Sequence, residues 1–221
     1  MLSKFLLLFK VADLRKKVLI VLGLLFVFRL LAAVPIPGIN HAQLQSFFNS
    51  NQLFGFFDLL SGSALSRLSI AMLGVGPYIT STIIMQLLTM IFPSLKEAYY
   101  EEGAAGRAKF NRYSRYLTVP LAILQSYGFL NLLASQGVFL SHEWSDTIRN
   151  VAVISAGSII LMWIGELITE QKIGNGISLI IFAGIVSSLP SDLQNALSSY
   201  TPSNLPIYIA FIALSILVIS G

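Results

Sequence analysis

The sequence contains no cysteine, which excludes disulfides, iron–sulfur clusters and thiolate zinc sites. It has only two histidines, His41 and His142, too far apart for the spacing of a metal site. Charge is scarce as well: 11% of residues are charged against 55% hydrophobic, and the mean hydropathy is +0.78. A soluble domain of 221 residues can bury a good core, but it does not show water so little charge. No Ser/His/Asp arrangement and no H-E-x-x-H run occur, so the sequence offers no catalytic constellation and implies no cofactor. "IGNGIS" (173–178) holds a G-x-G, but no strand precedes it and no phosphate loop follows. It reads as a tight inter-helix turn that uses the freedom of Gly174 and Gly176 at positive φ.

What is present is apolar sequence in long runs. Candidate spans are 18–34, about 68–92, 113–134, 150–170, 173–189 and 206–221, against the roughly 20 residues a helix needs to cross hydrocarbon. The class is therefore all-α and multi-pass in a membrane. The first run has the apolar character of a signal-peptide core, but its length, Arg29 and the later spans favour a retained helix. The last run reaches "ILVISG" without a polar flank, which reads as a fragment or one half of a larger unit. The expected organisation is an N-terminal segment (1–17), a helical body (18–189), an external loop (190–205) and part of a sixth span (206–221).

Lys and Arg set the expected orientation. Lys4, Lys10, Arg15, Lys16 and Lys17 precede the first span. Lys96, Arg107, Lys109, Arg112 and Arg115 surround the loop between the second and third, and Lys172 lies between the fourth and fifth. Eleven of the fourteen cationic residues thus fall on one side, placing the N-terminus in the cytoplasm. The segment "FGFFDLLSGSALSRLS" (54–69) cannot also span, because it is short and would force the basic loop outward. It enters from the outer side and returns, and such backbone needs a cavity or protein around it.

Three further features carry two readings each. Gly74, Gly76 and Pro77 open "PYITSTIIMQLL" either as a plain helix start or as the break in a helix whose first half is "ALSRLSIAML"; the pattern leaves both open. Glu166 and Glu170, four apart, would share a helix face, but their position near Lys172 favours solvation or pairing over proton transfer. The basic loop 96–116 at the least keeps itself on the inner side, and its mixed charge favours a protein docking surface built on Arg107, Lys109, Arg112, Arg115 and Lys172.

"RLLAAVPIPGIN", "FFDLLSGSALSRLSIAMLGVGPYITSTIIMQLL", "EEGAAGRAKFNRYSRYLTV" and "MWIGELITEQKIGNGISLIIFAGIV" are similar, in order and spacing, to the bacterial SecY family of translocase subunits. The chain departs at Ser63, where a second glycine is usual, and at Ala108, where a second basic residue is common. The resemblance implies an hourglass channel of two pseudo-symmetric halves, of which this chain would hold the first five helices and most of the sixth. It implies an aliphatic pore ring, with Val75, Ile79, Ile177 and Ile181 as this half's members, and a plug comprising Phe56, Phe57, Leu59, Leu60, Ser61, Gly62, Ala64, Leu65 and Arg67. It further implies passage of unfolded secretory chains and signal peptides across the bacterial cell membrane, and lateral release of membrane helices. Implied partners are SecE and SecG, the SecA ATPase and the ribosome, with no direct nucleic-acid contact. The i, i+4 spacing of each ring pair agrees with a shared helix face. Two rival readings are half of a secondary transporter with a broken-helix substrate site, and a membrane-embedded enzyme.

Overall fold

A computed structural model describes residues 12–50, 58, 64–139, 143–198 and 214. Among them the secondary structure is helical apart from turns and two isolated bridges. The helices are α1 (Ala12–Ala33), α2 (His41–Ser50), α3 (Gly76–Ile91), α4 (Pro93–Tyr100), α5 (Gly103–Ser135), α6 (Trp144–Glu170) and α7 (Gly176–Ser198). Two of them, α5 and α6, are long and apolar enough to cross a membrane. At 1.5 Å per residue, the 33 residues of α5 reach about 50 Å, more than the hydrocarbon core.

Several boundaries differ from those expected. α1 starts at Ala12, so residues 12–17 belong to the helix, where Lys17 pairs with Asp13 one turn back at 2.9 Å. The basic stretch expected as a loop is itself helical: α4 occupies 93–100, and Arg107, Lys109, Arg112 and Arg115 ride on the first turns of α5. Alanine, arginine and lysine are strong helix formers, and only Gly103, at φ +62°, breaks the path between α4 and α5. α7 runs on to Ser198 through Pro190, so residues 190–198 are helix rather than external loop. α2 was not anticipated; the Asn40 side chain accepts from the Gln43 amide at its start, and Leu44 and Phe47 are buried.

The two readings of the Gly74–Pro77 region are resolved. α3 begins at Gly76 with Pro77 in its first turn, where the missing N–H costs nothing. Residues 64–75, the supposed first half of a broken helix, form a chain of turns instead. Amides of Leu68, Met72, Gly74 and Gly76 each bond the carbonyl three residues back. Ser69 Oγ captures the Ala71 amide at 3.2 Å, the local competition that makes serine a poor helix interior residue. Backbone bonds from Ile36 to Leu68 (2.9 Å) and from Ile70 to Val34 (3.0 Å) then hold the segment against "PIPG". This tertiary pairing replaces the helical ladder.

The chain divides into two compact units, Met1–Ile185 and Val186–Gly221. Within the first, α3 packs on α5, α5 on α6, and α1 on α6. One apolar cluster gathers Phe28, Ala64, Val75, Leu161, Ile168 and Ile180; another gathers Leu44, Leu65, Leu68, Met72, Leu133 and Ile154. Small and hydroxyl residues join the helices, as expected where hydrocarbon gives helices little reason to associate. Ser81 Oγ donates to the Ser114 carbonyl, Ser126 and Ser155 hydroxyls meet at 3.1 Å, and Ser158 Oγ donates to the Gly74 carbonyl at 3.0 Å. A Cβ on Gly157 would lie 1.9 Å from the Ile70 carbonyl oxygen, so the turn chain rests directly on the α6 backbone. In the second unit the described residues are Leu214 and the last turns of α7.

Candidate functional site: an isoleucine-lined cavity

The α6–α7 turn sets the site. Lys172 takes the left-handed conformation, φ +58°, while Gly174 and Gly176 do not. The expected use of glycine for positive φ is therefore corrected. Gly176 is required by space: its Cβ would fall 1.8 Å from the Gly165 carbonyl oxygen and 2.9 Å from Ile168 Cβ. At Gly174 a Cβ would meet only Leu179 Cδ1, at 3.9 Å. Thr169 Oγ1 donates to the Gly165 carbonyl (2.8 Å) and accepts from the Gly176 amide (2.9 Å). Asn175 Oδ1 accepts from the Ser178 amide at 3.1 Å, capping α7. Gly74, by contrast, does need its freedom, at φ +55°; Gly76 has a different role, opening α3 in uncrowded space.

This close seating of α7 on α6 turns Ile177 and Ile181 towards α3. With Ile79 they line one cavity of about 630 Å³. α3 presents Ile79, Thr82, Ile83 and Gln86 to it, an i, i+3, i+4, i+7 face. Ile83 and Tyr78 were missed from the sequence, although the same periodicity one turn beyond Ile79 would have found Ile83. Val75 does not line the cavity; it is buried in the apolar cluster against which Ile177 and Ile181 also pack. The remaining walls are mostly uncharged and polar, including Asn111, Thr169, Asn175 and Ser178.

Three charged residues reach the cavity: Arg115, Glu166 and Glu170. Arg115 Nε pairs with Glu166 Oε1, joining α5 to α6. Arg115 is thus engaged at the cavity rather than offered for docking with the other basic residues. Glu166, whose solvation or pairing was expected, has its partner across the helix interface and not at Lys172. The chemistry available here is solvation and sieving: apolar isoleucines project among neutral hydrogen-bonding groups, with one ion pair.

The other predicted docking residues are exposed. Arg107 and Arg112 make no ion pair among the described residues, whereas Lys109 reaches Glu102 at 2.9 Å. Lys172 is exposed at its turn. Of the predicted plug, Phe56, Phe57, Leu59, Leu60, Ser61 and Gly62 lie outside the described residues. Ala64 and Leu65 are buried, one in each apolar cluster, and Arg67 is exposed. Asp58 Oδ1 accepts from the Ser66 amide at 2.8 Å, closing an eight-residue loop.

The protein translocase subunit SecY of Corynebacterium glutamicum is 41% identical over 204 residues, covering 86% of this chain and 46% of that protein. Its counterpart in Pseudomonas aeruginosa is 41% identical over 198 residues, covering 89% and 44%. That of Mycobacterium tuberculosis strain H37Rv is 39% identical over 213 residues, covering 90% and 48%. The chain spans about half the length of these relatives. Among solved structures, Sec61 in the canine ribosome-channel complex from the endoplasmic reticulum shares the fold at a TM-score of 0.61. It is 21% identical, with 90% of this chain and 46% of that one aligned. A structure titled as that of a protein conducting channel gives the same TM-score and identity, with 90% and 45% covered. The SecY family profile itself matches residues 69–221, which include α3, the cavity and the α6–α7 turn. The multi-pass helical channel fold and the motif order thus agree with the profile, and the chain belongs to the SecY family.

Proposed function

We propose that this chain forms half of the wall of a protein-conducting pore, part of a translocase that passes unfolded secretory chains and releases membrane helices sideways. The observation that carries the reading is the convergence of Ile79, Ile177 and Ile181, from two helices, on one cavity. A conduit for chains of any sequence must not hold any side chain tightly. Aliphatic groups meet that need while dewetting the constriction against ions. In this reading the protein performs no chemistry; force comes from a SecA-type ATPase or a translating ribosome docked on Arg107, Lys109, Arg112 and Lys172. SecE- and SecG-type subunits would complete the assembly in a bacterial cell membrane, with the N-terminus inside. The segment 54–69 would act as a displaceable plug, its described end held by Ala64 and Leu65 while Arg67 stays wet. Family membership does not favour the transporter reading.

The test uses the natural absence of cysteine. A single cysteine at Ile181, in the assembled translocase, should form a disulfide with a cysteine in a stalled secretory chain. A cysteine at lipid-exposed Met90 should not. Equal cross-linking at both positions would remove the pore assignment.

A further inference from the structure

A second cavity, of about 240 Å³, lies at the opposite end of the bundle from the isoleucine-lined one. Tyr127, Leu130, Asn131 and Ala134 of α5 line it, whereas Asn111 and Arg115 near the start of α5 line the first. Residues 113 and 131 are about 27 Å apart along a helix, so this cavity sits near the other membrane interface. Trp144, exposed, and Tyr127 stand on its rim, the residue types that settle at headgroup depth. The first turns of α6 supply Asp146, Arg149 and Asn150.

Asn150 is the informative residue. It is 5% exposed, and its Oδ1 is a buried oxygen without a hydrogen-bond partner. Such an acceptor is costly to leave unmet. A carbonyl oxygen can only accept, so the missing group is a donor. Asp146 adds negative charge nearby, and its pair with Arg149 (2.9 Å) leaves most guanidinium N–H groups able to hold an anion. Ammonium and phosphate, a short distance apart and at headgroup depth, form the polar end of one common class of lipid.

We propose that this cavity binds the headgroup of a phospholipid bearing an N–H ammonium, of the phosphatidylethanolamine class. The ammonium faces Asn150 Oδ1 and Asp146, the phosphate faces Arg149, and the glycerol end leaves past Tyr127 towards the bilayer. The proposal needs the membrane reading of α5 and α6 but not the translocation reading.

The full chain, in nanodiscs of equal phosphatidylethanolamine, phosphatidylcholine and phosphatidylglycerol, is released gently and its retained lipids counted by native mass spectrometry. Phosphatidylethanolamine should exceed phosphatidylcholine about fivefold, the scale of one net hydrogen bond. In the unaltered protein, mono- and dimethylated phosphatidylethanolamine should be retained and the trimethylated lipid lost, because only the third methyl removes the last N–H. Asn150→Leu should abolish the preference and Asn150→Asp should keep it. Equal retention of the ethanolamine and choline lipids overturns the assignment, as does preferential retention of phosphatidylglycerol or an unchanged preference in Asn150→Leu.

Discussion

Replacing Gly176 by alanine probes the contact that builds the isoleucine cavity. The added methyl would sit 1.8 Å from the Gly165 carbonyl oxygen. Carbon and oxygen approach comfortably only to about 3.4 Å, so α6 and α7 must part by about 1.5 Å. Backbone flanks the methyl, so no flexible side chain can absorb the shift. Overpacking costs typically 1–3 kcal/mol, and this geometry belongs at the upper end, about 3 kcal/mol. For a chain of this length that lowers the melting temperature by about 6–12 °C. Gly174→Ala is the control, two residues away in the same turn. Its methyl would meet only a leucine methyl at 3.9 Å, and its backbone is not left-handed, so the change should stay within about 0.5 kcal/mol. Thermal unfolding in detergent, followed by circular dichroism, reads both. Equal shifts in the two variants, or none at Gly176, would refute the argument that close approach and not turn conformation requires this glycine.

The remaining predictions concern the walls and the orientation. Arg115→Gln strands Glu166 at the cavity and should cost about 1 kcal/mol, the pair being partly solvated. Adding Glu166→Gln should recover most of it, and additive losses in the double-mutant cycle would show that the two side chains do not interact. Replacing Ile79 and Ile181 with glycine in the assembled channel should raise ion conductance across planar bilayers; an unchanged conductance would sink the sealing role. A cysteine at Ser94 should react with an impermeant maleimide only from the cytoplasmic side of oriented vesicles, and labelling from outside would reverse the assigned topology.

Much of the fold was legible because its signals are local. α3 stops one residue before Phe92 and Pro93, and the extended Phe92 (φ −106°, ψ 110°) is what a following proline demands. The lengths of α5 and α6 follow from apolar run length, and the shared faces of Ile177 with Ile181 from helical period. Other features were hidden because they depend on partners distant in sequence. Ser69 and Leu68 look able to extend a helix; the strand-like pairing with Val34 and Ile36, more than thirty residues earlier, keeps them out of one. Arg115 looks like its basic neighbours until Glu166, fifty-one residues on, is brought beside it.

By itself, the sequence determined the environment and the inventory: a cysteine-free, charge-poor chain belongs in a membrane, and its motifs in order belong to one family. Hydropathy and residue pattern suffice for this because they act over a few turns of chain. Only the tertiary structure decided how those residues are used. It assigned Gly176 to close packing and Lys172 to the left-handed turn, took Arg115 from the docking surface to the cavity, and left Val75 in the packed cluster. The physical reason is the same in each case. A turn's conformation, an ion pair's partner and a side chain's exposure are set by whichever helix lies against it, and that neighbour is remote in the chain.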